Sequence, residues 1–159
     1  MRPLRGRIGI NMKNAIFTGS FDPITIGHYD IIRRAAAIFP KVFVAVTINN
    51  EKRYMFDEKE RLEMVKKACE SLGNVEILFC EGLVSKLAAE KDAVFVKGVR
   101  NSVDFAYEYE MASISKEISG VETFLIPADP KLAFVSSTFV REMIKHKNNP
   151  ERYIGRGKN

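Results

Sequence analysis

The sequence predicts a single α/β domain, a parallel five-stranded sheet with helices on both faces, from three observations. Its 159 residues suit one domain and are too few for two ordinary ones. Apolar residues make up 46%, enough for a sizeable core. Short β-branched runs alternate with stretches of helical period, the pattern of repeated βαβ units.

The elements follow in order. Ala15-Ile16-Phe17 is a first short strand, ending at Thr18-Gly19-Ser20, where Gly19 suits a tight turn. Tyr29 to Phe39 is helical, with Ile32, Ala36 and Phe39 on one face. The run from Val42 to Ile48 reads as a buried strand, and Asn49 to Phe56 as a polar loop. Glu58 to Leu72 is the clearest helix: Leu62, Val65, Cys69 and Leu72 form its apolar stripe, Asp57 and Glu60 suit a capping box, and Gly73-Asn74 suits its end. Val75 to Phe79 is the third strand, Val84 to Lys91 a short helix and Ala93 to Val96 the fourth strand. Asp104 to Ser119 is helical, with Tyr107, Met111, Ile114 and Ile118 in phase. Glu122 to Ile126 is the fifth strand and Thr138 to Lys145 the last helix. The polar tail from Asn148 is expected to carry little regular structure. The whole reads as Rossmann-like, and on such sheets ligands bind beyond the carboxyl ends of the strands, near the topological switch point.

Charge and composition narrow the function. The net charge is +5, and Arg2, Arg5 and Arg7 account for three of those charges. Met12-Lys13 stands directly before the first strand. Residues 1–11 therefore read as a leader or an over-long start, with the domain over 12–159. The remaining excess suits a pocket for small polyanions, and no nucleic-acid partner is expected. No apolar run approaches the roughly 20 residues that span a bilayer. The N-terminus is basic without the apolar segment of a secretory signal, so a cytoplasmic protein is expected. Cys69 and Cys80 match no metal or redox spacing, and with only His28 and His146 besides, no protein-held metal is expected.

Four segments at strand ends carry chemistry. The string Thr18-Gly19-Ser20-Phe21-Asp22-Pro23-Ile24-Thr25-Ile26-Gly27-His28 lies between the first strand and the first helix. Gly27 has no Cβ, so a phosphate can approach the backbone at the helix start. His28 lies at the positive end of that helix, where it can donate to a phosphate oxygen. An isolated Gly-His pair would more often cap or pack, but eleven residues in a strand–loop–helix context are far more specific. In Val135-Ser136-Ser137-Thr138-Phe139-Val140-Arg141, consecutive hydroxyls open the last helix and Arg141 falls in its first turn, facing the same anion. Lys97-Gly98-Val99-Arg100 puts two cations around a glycine, which suits a phosphate, though alone it reads at least as well as solvated surface charge. Lys52 is the candidate in the loop after the second strand, with a solvated loop charge as an equal reading. Glu108, in Asp104-Phe105-Ala106-Tyr107-Glu108, suits a ribose hydroxyl or a metal-bound phosphate, but from the residues alone an exposed helix glutamate is favoured.

These motifs resemble the two signatures of the nucleotidyltransferase α/β phosphodiesterase superfamily. Within it, the chain from about Met12 to about Glu151 resembles the bacterial phosphopantetheine adenylyltransferases. The resemblance rests on the Ser20–His28 string, on Lys52 ahead of Met55-Phe56, on Lys97 to Arg100 and on Asp104-Phe105-x-Tyr107-Glu108. It implies transfer of AMP from ATP to 4′-phosphopantetheine in coenzyme A synthesis, with Mg²⁺ as cofactor and a homohexameric assembly. It implies that His28 stabilises the transition state, with Lys52 and Arg100 beside it. It implies ATP contacts at Ser20, Phe21, His28, Gly98, Val99, Arg100, Glu108, Leu132, Ala133, Phe134, Val135, Ser136, Ser137 and Thr138. Acceptor contacts are implied at Ser20, Lys52, Val84 and Lys97, with Mg²⁺ held mainly by the ATP phosphates. Lys97 departs from the family's usual arginine, Leu132-Ala133 from a common Trp-Ser pair, and the C-terminus from its last apolar helix. Two alternatives stand beside this reading. One is another transferase of the same fold, such as a nicotinamide mononucleotide adenylyltransferase. The other is a non-catalytic nucleotide- or RNA-binding module.

Overall fold

A computed structural model of the chain describes residues 12–156. Residues 1–11, with the expectation of a leader there, lie outside the described residues. Five strands, β1 (Asn14–Gly19), β2 (Val42–Thr47), β3 (Val75–Cys80), β4 (Ala93–Val99) and β5 (Thr123–Pro127), form one parallel sheet in the order β3-β2-β1-β4-β5. The helices are α1 (Ile26–Ile38), α2 (Glu58–Cys69), α3 (Val84–Glu90), α4 (Ser102–Ser119) and α5 (Ser137–Lys145).

Strand alternation divides the core between the two faces. Ala15, Phe17, Val42, Val44, Val46 and Val96 face one way and bury against Ile31, Ile32 and Ala35 of α1 and Val65, Ala68 and Cys69 of α2. Ile16, Phe43, Ala45, Ala93 and Phe95 face the other way, toward Ala88 of α3. β2 is apolar on both faces, which is why it reads as a continuous β-branched run. The order reverses between β1 and β4, so the switch-point crevice opens above those two strands.

The structure moves several expected boundaries, each for a local reason. α1 begins at Ile26 because Thr25 caps it, and Gly27 and His28 therefore lie inside its first turn. β4 runs on to Val99 because β5 pairs with it as far as Pro127, so Lys97 and Gly98 are strand residues. Asn101 caps α4 two residues earlier than the pattern suggested, its side chain accepting from the N–H groups of Val103 and Asp104. Asn74 does not end α2, which stops at Cys69. It closes α1 instead, donating to the carbonyls of Ala36 and Phe39 at 2.9 and 3.1 Å. The C-terminal tail is more ordered than its polar composition suggested. Glu151–Tyr153 is a turn of 3-10 helix, and Ile154 bridges antiparallel to Thr25. The ring of Tyr153 meets Phe139 at 5.1 Å, an apolar anchor that periodicity cannot reveal in so short a stretch.

Candidate active site

A cavity of about 270 Å³ opens above β1 and β4, where the topology places it. Three helix N-termini border it: Gly27 and His28 of α1, Ser136 and Ser137 of α5, and Arg100 and Asp104 at the start of α4. Unpaired N–H groups and aligned peptide dipoles at such ends favour an anion. A second cavity of about 330 Å³ lies beside it, lined by Leu83, Val84, Phe95, Met111, Ile114 and Ile118 among others. Thr18, Lys97, Tyr107 and Glu108 line both and form the shared wall.

His28 is held from two sides. The backbone N–H of Thr25 donates to its Nδ1 at 3.0 Å, while the His28 N–H donates to Thr25 Oγ1 at 3.3 Å. This is a capping box in which histidine replaces the usual glutamate. The imidazole meets the edge of the Phe21 ring at 5.3 Å and lies 6.3 Å from Phe17. Burial, and then the charge of Arg100, lower its pKa to about 4. His28 is therefore neutral at pH 7, and with Nδ1 accepting, its proton sits on Nε2. Capping uses one nitrogen of the ring and leaves the other, Nε2, free as a donor.

The loop behind it is built around Phe21. Phe21 has φ of 49°, a left-handed conformation that costs roughly 1–2 kcal/mol with a Cβ present. Its ring is 2% exposed, and such burial contributes about 1.5–3 kcal/mol, enough to offset the backbone. Gly19 does not turn through a positive φ. A Cβ there would stand 3.2 Å from the Phe21 ring, so glycine makes room for that ring. Gly98 has a similar reason: a Cβ would meet Ile31 Cγ1 at 2.9 Å, so its absence lets α1 approach β4.

Two cations line the first cavity, Lys97 in the shared wall and Arg100 outside it. Lys97 Nζ donates to Thr18 Oγ1 at 2.8 Å, leaving further donors free. Its burial lowers the ammonium pKa, against the opposing charge of Glu108. Arg100 is gripped by Asp104, Nε to Oδ2 at 2.8 Å and a second nitrogen to Oδ1 at 3.3 Å. The same bonds hold the Asp104 carboxyl below its usual pKa.

Of the residues named from sequence, His28, Lys97, Gly98, Arg100, Glu108, Leu132, Val135, Ser136 and Ser137 line the first cavity, and Val84 the second. Ser20, Phe21, Val99, Ala133, Phe134 and Thr138 do not line either. Lys52 stands on an exposed loop, its N–H donating to the Asn49 carbonyl at 2.9 Å. Arg141 does not line the cavity, contrary to expectation. It donates to the Asp22 carbonyl at 2.7 Å and to Thr138 Oγ1 at 3.1 Å, tying α5 to the first loop. Sequence reasoning placed Thr18, Asp22 and Asp104 inside its motifs but gave none of them a role of its own. The Asp22 carboxylate accepts from the N–H groups of Met55 and Phe56, both at 2.9 Å. The four-residue spacing of Arg100 and Asp104 signals an ion pair; nothing local signals the other two.

Among the described residues no three His, Cys, Asp or Glu side chains gather as a metal cluster. The cavity's carboxylates are Asp104, already held by Arg100, and Glu108.

Comparison with known proteins agrees with this geometry. The cytidylyltransferase-like family model matches residues 16–143. The phosphopantetheine adenylyltransferase of Actinobacillus succinogenes is 37% identical over 145 residues, covering 90% of each chain. That of Streptomyces coelicolor is 41% identical over 133 residues, covering 83% of this chain and 84% of the relative. A Plasmodium falciparum nicotinic acid mononucleotide adenylyltransferase shares the fold, with a TM-score of 0.61 at 16% identity over 89% of this chain and 90% of that one. The matched segment contains both cavities and all three helix N-termini, and the chain belongs to the cytidylyltransferase-like nucleotidyltransferases and, among them, to the phosphopantetheine adenylyltransferase family.

Proposed function

We propose that the protein transfers AMP from ATP to the phosphate of 4′-phosphopantetheine, giving dephospho-coenzyme A and pyrophosphate. The observation that carries this reading is the pair of cavities meeting at Thr18, Lys97, Tyr107 and Glu108. One is bordered by helix N-termini and suits a triphosphate. The other is apolar over Leu83, Val84, Met111 and Ile118, suiting an uncharged arm better than the second nucleoside of a dinucleotide synthase.

The acceptor phosphate, with a second pKa near 6, is largely dianionic at pH 7, so its attack on the α-phosphorus needs no general base. The bond from that phosphorus to the bridging oxygen breaks, and pyrophosphate leaves. Positioning and charge stabilisation remain for the protein. His28 Nε2–H donates to the α-phosphate oxygens as charge develops. Arg100 holds the leaving phosphates, while Lys97 and Lys52 hold the acceptor phosphate. Gly98, Glu108, Leu132, Val135, Ser136 and Ser137, which line the first cavity, hold the nucleotide. Mg²⁺ fits as a cation carried by the phosphates of ATP, since it retains waters and takes few protein ligands; it supplies further charge neutralisation there.

The reading extends to assembly. Tyr107, Met111, Ile114 and Ile118 form a stripe on α4 that the chain itself leaves exposed, which supports the homohexamer. A cytoplasmic location accords with the absence, among the described residues, of any helix long and apolar enough to cross a membrane. Incubation with ATP, Mg²⁺ and phosphopantetheine, with the product identified by mass, tests the reaction. Turnover of nicotinamide mononucleotide in its place, with none of phosphopantetheine, sinks it.

A further inference from the structure

Arg61 of α2 is 0% exposed and belongs to no feature described so far. One terminal nitrogen donates to the carbonyls of Ser20 and Thr47, at 2.6 and 3.0 Å. Those carbonyls stand just beyond β1 and at the end of β2. Nε and the other terminal nitrogen are buried without a hydrogen-bond partner. A buried cation is costly and is usually matched by a carboxylate. Here the guanidinium is held by carbonyl oxygens, which orient it and leave its charge in place. Its plane is covered by the Tyr54 ring, whose centroid is 4.0 Å from Cζ.

Tyr54 continues the network outward. Its hydroxyl accepts from the Asn49 N–H at 2.7 Å. The Asn49 carbonyl accepts from the Lys52 N–H, and its side chain accepts from the Glu51 N–H, both at 2.9 Å. The loop bearing Lys52 thus rests on Tyr54, and Tyr54 rests on Arg61. Asp22 pins only the far end of this loop, at Met55 and Phe56.

We infer that Arg61 is a positioning residue for the acceptor side of the site: it fixes the carboxyl ends of β1 and β2 and, through Tyr54 and Asn49, sets the loop that presents Lys52. The inference rests on the proposed role of Lys52 at the acceptor phosphate. Both carbonyls meet a single nitrogen of Arg61, so lysine at position 61 keeps the charge and the donors for them but loses the planar stack on Tyr54.

Steady-state kinetics with ATP and phosphopantetheine, each varied separately, test this in a double-mutant cycle. Arg61→Lys is expected to raise the acceptor KM about tenfold and the ATP KM less than about twofold, while in a Lys52→Ala background it raises the acceptor KM less than about threefold. Equal rises for both substrates, or a full tenfold effect without Lys52, overturn the inference and leave Arg61 as part of the core. Should Arg61→Lys not fold, Tyr54→Phe keeps the ring and removes only the bond to Asn49; a rise in acceptor KM alone supports the inference, and an unchanged KM overturns it. A wild-type protein inactive on phosphopantetheine sinks the functional reading and this inference with it. An active wild type without the split sinks the inference alone.

Discussion

The backbone N–H of Thr25 points at Nδ1 of His28 across 3.0 Å, and that one bond sets the tautomer of the site's only imidazole. A peptide N–H cannot accept, so Nδ1 must, and the ring's proton is left on Nε2 as a donor. A neutral donor aimed at developing charge is typically worth about 10²–10³ in kcat, and His28→Ala is expected to lose that much with little change in ATP KM. Turnover near wild type in the variant would remove His28 from the mechanism.

The pH behaviour of the same ring is a separate test. Its pKa is about 4 in the folded chain against an ordinary 6.5, so the unfolded chain takes up the proton first as pH falls. The contribution of His28 to stability is flat above 6.5 and declines as pH drops through the window down to about 4. Imidazole NMR shifts should show Nε2 protonated at pH 7 and a titration midpoint below 5. A midpoint near 6.5 would show that burial does not lower the pKa of this ring.

Gly27 separates fold from function. A Cβ there would be 3.5 Å from Thr25 Oγ1 and 3.6 Å from the Val135 carbonyl, which are ordinary contacts. The fold therefore tolerates alanine, which also favours a helix by about 1 kcal/mol over glycine. Gly27→Ala should keep or raise the melting temperature while raising the ATP KM. Unchanged KM would mean that no phosphate approaches this backbone.

Lys97 stands where the resemblance leads one to expect arginine. Only one of its donors is engaged, by Thr18, so the ammonium retains capacity for a phosphate. Hydrogen bonds to charged groups contribute about 1.5–3 kcal/mol, so Lys97→Ala should raise the acceptor KM at least about tenfold and the ATP KM less. Lys97→Arg should keep activity. Equal effects on both substrates would place Lys97 on neither side.

Gly155 tests the tail. A Cβ there would stand 3.0 Å from the Thr25 carbonyl oxygen, a backbone atom with little room to yield. Gly155→Ala should lower stability by roughly 1–3 kcal/mol, the usual range for overpacking, read by urea denaturation. No change would show that the Ile154–Thr25 bridge contributes nothing.

The α4 stripe bears on assembly. Ile118 is 72% exposed on the single chain, where a charge should cost little. Ile118→Glu should therefore leave the far-ultraviolet spectrum intact and, if the proposed hexamer forms through this stripe, lower the mass read by light scattering. An unaltered mass would exclude this stripe as the interface.

The alternation of β-branched runs with helical period was sufficient to determine the parallel sheet, because burial on two faces demands apolar continuity in the strands and one stripe in each helix. The segments that meet at the first cavity were legible for a related reason: glycine, hydroxyls and histidine at a strand–helix junction have few other joint uses. Periodicity carries no information about contacts between distant segments, and those were decided by tertiary structure. It turned Asn74 from the end of α2 onto the end of α1, and Arg141 away from the cavity onto Asp22. It folded the polar tail back onto Thr25. It also buried Arg61, which the sequence presents as one more charge in the most charged helix, because α2 sits against the carboxyl ends of β1 and β2 and leaves its guanidinium only carbonyls and one aromatic ring to meet.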